Sequence, residues 1–190
     1  MKKQLALLIA ASLAVAMSAK AAPTIINFDD LPNHTIVTNQ YSGVSFSSDG
    51  GNVLEVISFP FASSAPNIVA GNNTNGFADV IINFDTPVNA LSFDAIGVNN
   101  AGTVGLIDIY QNNSFTATVN LLGQGTVLVP DYVDLSAYSD VTGIKIYSIT
   151  DLLGYGYDNF QFTPGAVPEP STIALAGFGI AGFIAARRRK

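Results

Sequence analysis

The sequence has no cysteine and very little positive charge between its two ends. Without cysteine, disulfides, a thiol nucleophile and cysteine-ligated zinc are excluded, so packing, hydrogen bonds or an oxygen-ligated metal must hold the fold. Of the 8 Lys and Arg, only Lys145 lies between residues 21 and 186, whereas all 14 Asp and Glu lie from Asp29 to Glu169. That part therefore carries 1 − 14, a formal charge of −13. Such a field attracts divalent cations and repels phosphate backbones, so we expect no nucleic acid partner.

Residues that could support catalysis are also scarce. His34 is the only histidine, and no G-x-S-x-G motif accompanies it. Lys145 lies within an expected strand in acidic surroundings, where its pKa should stay high, so it is a poor Schiff-base nucleophile. A carboxylate pair that includes Glu55 could in principle hydrolyse glycosides, but no motif favours it. We therefore predict no catalytic residues and no enzymatic activity.

The N-terminus has the layout of a secretory signal peptide. Lys2 and Lys3 precede an apolar stretch over 5–17, and small residues follow at Ala19 and Ala21. We predict that residues 1–21 are removed by cleavage after Ala21. A buried N-terminal helix is the alternative, but it would not require a basic start followed by an Ala-x-Ala site.

Residues 22–163 show the pattern of an all-β domain. Short runs rich in Val, Ile, Phe and Thr alternate with turn residues, and no amphipathic helix separates them. This predicts an antiparallel β-sandwich, jelly-roll-like in character. Within 143–149, Ile144 and Ile146 should face one side while Lys145 and Tyr147 face the other. The predicted strands cover 24–28, 43–47, 53–59, 78–84, 90–96, 104–110, 115–121, 126–130, 143–149 and 157–162.

Oxygen donors near both ends of this domain indicate a calcium site. Asp29 and Asp30 follow the first predicted strand, and Asp158 and Asn159 lie in the last one. The first and last strands of a sandwich are often neighbours, and calcium takes six to eight oxygen ligands. The alternative is that Asp29 and Asp30 open a turn while Asp158 faces solvent.

Tyrosine side chains supply a second kind of candidate site. Exposed tyrosine rings can stack on sugars, although each ring could equally be half-buried in a sheet face. The candidates are Tyr110, Tyr132, Tyr138, Tyr147, Tyr155 and Tyr157.

The C-terminal segment has three parts. Residues 164–171 form a proline-rich linker, residues 172–186 are uncharged, and Arg187, Arg188, Arg189 and Lys190 end the chain. As a transmembrane helix, the 15 uncharged residues would span ~22 Å against a bilayer core of ~30 Å. A buried helix would not need four terminal cations, and a permanent anchor would be longer. The pattern best fits a transmembrane segment with a cytoplasmic basic stop, which a processing enzyme recognises and then removes.

Val167-Pro168-Glu169-Pro170-Ser171, the apolar run and the basic end together closely resemble the PEP-CTERM sorting domain of Gram-negative bacteria. The resemblance implies that Pro168, Glu169 and Pro170 form a sorting motif for exosortase, an integral-membrane processing enzyme. It further implies export, transient tethering in the inner membrane, and delivery to the cell surface or to an exopolysaccharide matrix, often with biofilm formation. Residues 22–163 also resemble the β-sandwich cargo of such proteins, through "FDDL" and "YDNFQF", which favours calcium at Asp29, Asp30 and Asp158.

We thus expect an exported, acidic, non-enzymatic β-sandwich protein of the cell surface or the extracellular matrix. The alternative is a carbohydrate-binding module or adhesin that contacts exopolysaccharide. A glycan-active enzyme is the third hypothesis, which the lack of any catalytic motif disfavours.

Overall fold

The computed structural model describes residues 21–72, 78–150 and 155–165, and within them the regular structure consists of ten antiparallel strands. Ala22–Gly165 form one compact unit. The strands are β1 (Thr24–Ile26), β2 (Val44–Ser47), β3 (Val53–Ser58), β4 (Asn67–Asn72), β5 (Val80–Ile96), β6 (Ala101–Gln111), β7 (Ser114–Gln124), β8 (Asp131–Asp134), β9 (Val141–Tyr147) and β10 (Gly156–Pro164).

The long strand β5 connects two layers of strands. Its first half pairs with β2 and β9, and the layer continues through β6 to β7. From Val88 onward β5 pairs with β10 and β8, and β10 in turn pairs with β4 and β1. The pairing with β9 is interrupted between Asn83 and Val88, the stretch that contains Pro87, whose ring cannot donate to a ladder. The strand thereby passes from one layer into the other.

Aromatic side chains fill much of the space between the layers. Phe160 on β10 stacks on Phe93 of β5 with ring centroids 5.1 Å apart, and it meets Phe46 of β2 edge to face at 5.7 Å. Phe28 lies against both Phe46 and Phe160. Because strands of both layers contribute these rings, the core lies between two layers of one continuous ten-stranded sheet, which confirms the predicted all-β antiparallel fold of the sandwich type.

The alternation predicted for 143–149 is confirmed over β9. Ile144 and Ile146 are buried in the core, whereas Lys145 and Tyr147 lie on the outer face. Side chains of a strand alternate between its two faces, so these apolar positions alone fix which face of β9 points inward.

Three predicted strands differ from those observed. The runs 78–84 and 90–96 belong to the single strand β5, and the run 126–130 is a turn that follows Gly125, whose φ is +79°. An apolar composition suits a strand, but an uninterrupted hydrogen-bonding partner is also required, and 126–130 has none among the described residues. β4 was not predicted, because Asn67, Gly71 and Asn72 leave only three apolar residues between them; its full pairing with β3 compensates. β8 was not predicted either; its four residues pair with β5 directly after the run 126–130.

Candidate functional site

The end of β1, the outer face of β10 and the loop before β4 meet in a polar cluster. Asp158 on β10 lies directly opposite Asp94 on β5 in the strand register. Tyr157 and Phe93, the residues beside them, point into the core, so the two aspartates share the outer face. Asp29 approaches from the turn that follows β1, and Ser64 connects it to Asp158.

The loop before β4 and the first residue of β4 supply hydrogen-bond donors to Asp29, Asp94 and Asp158. Ser64 donates its backbone N–H to Asp158 at 2.7 Å and its hydroxyl to Asp29 at 2.5 Å. Asn67 donates its backbone N–H to the other oxygen of Asp29 at 3.0 Å, and Ser63 donates its hydroxyl to Asp94 at 2.6 Å. These contacts fasten the loop to the terminal strands, because charged acceptors make stronger hydrogen bonds than neutral ones.

Burial dominates the electrostatics of Asp158. Its side chain is 0% exposed, and burial raises its pKa to about 6, with smaller upward contributions from the charges of Asp29 and Asp94. Hydrogen bonds from the backbone N–H groups of Ser64 and Asn159 oppose the rise. Asp158 is therefore a buried carboxyl that takes up a proton near pH 6, within a group of other acids.

Only part of the predicted calcium set converges. Asp29 and Asp158 are joined through Ser64, as the expected adjacency of the first and last strands requires. Asp30 instead accepts a hydrogen bond from Tyr41 at 2.6 Å. That contact and burial, the larger cause, raise the pKa of the Tyr41 hydroxyl.

Asn159, the fourth residue of the set, directs its side-chain amide to Asp94 at 3.1 Å. Asp94 was not predicted as a site residue, because only the β5–β10 register places it opposite Asp158. Over 21–72, 78–150 and 155–165, no three His, Asp or Glu side chains are grouped closely enough to hold one metal ion by themselves. A calcium ion here would need backbone carbonyls, amide oxygens or water among its ligands.

The lone histidine has a partner that the sequence did not indicate. The Nδ1 atom of His34 lies 2.5 Å from Oε1 of Glu55 on β3, although the imidazole itself is 73% exposed. Glu55 is buried, and its strand also pairs with Ile36 at an isolated bridge. The contact places His34 beside a carboxylate at the edge of β3. No hydrogen bond found among the described residues joins its ring to a serine or threonine hydroxyl.

Lys145 is held by two aspartates. Its ammonium lies 2.6 Å from Asp49 and 3.1 Å from Asp79, and hydrogen bonds to these carboxylates raise its pKa above the usual range. The predicted high pKa is confirmed, and a lysine of this kind stays charged at neutral pH.

The tyrosines divide between core and surface. Tyr155 and Tyr157 are buried and belong to the hydrophobic core, so for these two rings the alternative, burial against the sheet, is correct. Tyr132 is 67% exposed, and Tyr110 packs edge to face against Phe115 on the outer face of β6 and β7. Tyr138 and Tyr147 are partly exposed, so four of the six rings reach the surface.

The predicted signal peptide, sorting motif and transmembrane helix lie outside the described residues, apart from Ala21. In the described ranges no helix has both the length and the apolar character needed to cross a bilayer.

Comparisons with known proteins concern both the domain and the tail. Among solved structures, a family 35 carbohydrate binding module from Clostridium thermocellum has 14% identity and a TM-score of 0.39, and a DUF4465 family protein from Bacteroides ovatus has 12% identity and a TM-score of 0.36. Each alignment covers 76% of this chain and 100% of the other. These similarities are too weak to transfer a function. No curated protein matches the chain.

The tail gives a definite match. Residues 166–190 match the family model of the PEP-CTERM protein-sorting motif, as the resemblance predicted, and this range contains Pro168, Glu169 and Pro170. A signal of this kind implies an exported protein that exosortase processes from a membrane-anchored precursor. The chain is thus a β-sandwich protein that carries a C-terminal PEP-CTERM sorting motif.

Proposed function

We propose that the protein is a non-enzymatic component of the cell surface or the exopolysaccharide matrix, delivered there through its C-terminal signal. The observation that carries the proposal is the match of residues 166–190 to the sorting motif, at the C-terminal end of the sequence and behind a signal-peptide pattern. In this scheme the first 21 residues direct export, and residues 172–186 hold the precursor in the inner membrane. Exosortase then recognises Pro168-Glu169-Pro170 and releases the domain.

The charge of the domain suits a hydrated matrix. With one lysine in the segment from Asp29 to Glu169, and that lysine paired to Asp49 and Asp79, the surface is dominated by carboxylates. Such a surface stays soluble and gathers divalent cations, which can link it to other acidic polymers. This supports a structural role in a matrix, including a biofilm.

We also propose that calcium binds at the polar cluster. Support comes from the convergence of Asp29 and Asp158 on Ser64, and from the charge of Asp94 acting on Asp158. A divalent cation there would relieve the repulsion among these carboxylates and would tie the first strand to the last. The remaining ligands would be backbone and amide oxygens or water.

Carbohydrate binding is the second candidate function. It is supported by a depression of about 260 Å³ on the outer face of β5, β6 and β9, lined by Tyr110, Asn83, Asn113 and Lys145 around Gly143. A ring, two amides and an ammonium around a floor without a side chain provide stacking and hydrogen bonds of the kind that sugar hydroxyls use.

Processing of the tail tests the leading proposal. Replacing Pro168, Glu169 and Pro170 by alanine should leave full-length protein in the inner membrane, whereas Pro164→Ala, a proline outside the motif, should leave release unchanged. Mass spectrometry of the C-terminus, in membrane and extracellular fractions of the native host, measures both. Unchanged release of the triple variant would refute the sorting role.

Binding and turnover assays separate the remaining hypotheses. The released protein should produce no sugar from a panel of polysaccharides, and glycan cleavage that Glu55→Gln abolishes would overturn the non-enzymatic assignment. Retention on one polysaccharide that Tyr110→Ala removes, and Tyr132→Ala does not, would establish the carbohydrate-binding alternative instead.

A further inference from the structure

The outer face of β5, β9 and β6 carries a row of three residues with a gap at its centre. Asn83, Gly143 and Tyr110 lie opposite one another across these strands in the strand register. Neighbouring strands are about 4.8 Å apart, so the backbones at Asn83 and Tyr110 are separated by about 10 Å. A Cβ on Gly143 would come within 3.1 Å of the side-chain oxygen of Asn83, so a larger residue would fill the gap. The glycine at the centre of the row therefore forms the floor of the cleft of about 260 Å³.

A second aromatic ring extends this row beyond the cleft. Phe115 on β7 lies opposite Tyr110 in the register, and the two rings meet edge to face with centroids 6.2 Å apart. Phe115 is 59% exposed. A chain of sugars that enters the cleft beside Asn83 can therefore continue over both rings, which favours a polymer over a single sugar.

Carboxylates surround the end of the cleft that Lys145 lines. Asp49, which follows β2, and Asp79, which precedes β5, both bind the ammonium of Lys145. Asp108 lies opposite Lys145 on β6, where the strand register pairs the two residues. One ammonium and three carboxylates give this end of the cleft a formal charge of 1 − 3, or −2. The single lysine therefore does not make the cleft attractive to an anion.

Asp108 keeps its charge uncompensated in the described part of the chain. Its carboxylate accepts hydrogen bonds from the hydroxyls of Thr118 at 2.5 Å and Tyr147 at 3.1 Å, and both donors are neutral. These bonds hold the carboxylate in place about 7 Å along β6 from Tyr110, on the same face of the strand. A uronate in the cleft would be repelled by this carboxylate, whereas an ammonium would gain a charge-assisted hydrogen bond.

We propose that the cleft binds a glycan whose sugars carry free amino groups, a cationic polymer of the hexosamine type. The inference rests on the carbohydrate-binding candidate proposed for this cleft, and it names the class of sugar. A sugar ring stacks on Tyr110, its hydroxyls bond to the amide of Asn83, and its ammonium lies at Asp108. The field of the whole domain acts in the same direction, because the charge of −13 between residues 21 and 186 draws a polycation toward the surface.

Short oligomers test the class of sugar. Chitosan oligomers, chitin oligomers of the same length and alginate oligomers are titrated into the exported protein by calorimetry, at a pH where the amines are protonated. EDTA is present throughout, because calcium could otherwise bridge alginate to the carboxylates. We expect chitosan oligomers to bind about tenfold more tightly than chitin oligomers, the ratio that one hydrogen bond to a charged group supplies, and alginate oligomers not to bind. Raising the salt from about 20 to about 300 mM should reduce the preference, because it screens the attraction.

Three variants locate the preference in the cleft. Asp108→Asn should lose most of the preference for chitosan and keep the affinity for chitin, because the amide oxygen still accepts the two hydroxyls but carries no charge. Asp134→Asn is the matched control, since it removes the same charge from an exposed position on β8 in the other layer, and it should change neither affinity. Tyr110→Ala should weaken the binding of both oligomers, because both stack on its ring.

The outcomes separate this inference from the function on which it rests. Equal binding of chitosan and chitin oligomers, weakened by Tyr110→Ala, would overturn the cationic class and leave the carbohydrate-binding candidate standing. Tighter binding of alginate in EDTA would do the same. Binding of none of the oligomers would overturn both. Equal losses of chitosan affinity for Asp108→Asn and Asp134→Asn would assign the preference to the overall charge of the domain and would overturn the site at the cleft.

Discussion

Asp158 on β10 and Asp94 on β5 stand directly opposite each other on one face of two neighbouring antiparallel strands. Like charges at such positions destabilise a sheet. The structure tolerates the pair because Ser64 and Asn159 donate backbone N–H groups to Asp158, while Ser63 and the Asn159 side chain donate to Asp94. Hydrogen bonds to these carboxylates thus hold the loop before β4 in place and stabilise the carboxylates in return.

The burial of Asp158 predicts a dependence of stability on pH. Because its folded pKa is raised to about 6 from 3.8, the folded chain keeps a proton that the unfolded chain loses, and stability falls as the pH rises from about 4 to about 6. The contribution of this one group is up to about 3 kcal/mol. Asp158→Asn should flatten the profile in urea unfolding, whereas Asp85→Asn, at an exposed carboxyl, should keep its slope. An unaltered slope for Asp158→Asn would show that the carboxyl is ionised throughout.

Calcium should raise the melting temperature at neutral pH, and EDTA should reverse the increase. The reason is that the ion would screen the carboxylates of Asp29, Asp94 and Asp158 only in the folded state. The increase should shrink at about pH 5, where the proton on Asp158 competes with the ion. Asp29→Asn should abolish the increase, and Asp140→Asn, at an exposed position, should not. Equal melting temperatures with calcium and with EDTA would eliminate the metal proposal.

Ser64→Ala tests the link between the loop and the first strand. The Ser64 hydroxyl donates to Asp29 and accepts from the Asn27 amide at 3.0 Å, so its removal leaves two partly buried groups without this partner. We expect a loss of about 1–3 kcal/mol in the free energy of unfolding. Ser63→Ala removes one hydroxyl at an exposed position and should cost less than about 1 kcal/mol. Equal costs for the two variants would contradict the linking role of Ser64.

Phe160→Ala should be the most destabilising of the substitutions considered, at about 3–5 kcal/mol, because the ring contacts Phe93, Phe46 and Phe28 from both layers. Phe61→Ala is the control, since Phe61 is 41% exposed and packs on Phe59 alone among the ring contacts found. Chemical denaturation monitored by circular dichroism measures both. Similar midpoints for the two variants would show that the core does not depend on the Phe160 cluster.

Alternation and turn residues were sufficient to predict the all-β fold and the inward face of β9, because the period of a strand is local. They also predicted that the first and last strands lie side by side, which brings Asp29 to Asp158. They could not separate 126–130 from a strand or find β4 and β8, since a strand exists only where a partner accepts its hydrogen bonds. Ile68, Val69 and Ala70 become a strand because β3 pairs with them along its whole length.

The sequence by itself determined that the chain carries a sorting motif in residues 166–190, a linear signal that implies export through a membrane-anchored precursor. It also determined the excess of carboxylates, since charge is a matter of composition. Only the tertiary structure decided that Asp94 faces Asp158, that Glu55 meets His34, and that β5 pairs with strands of both layers. These are facts of strand register and strand order, which arise from contacts between residues far apart in the chain, and no local pattern encodes them.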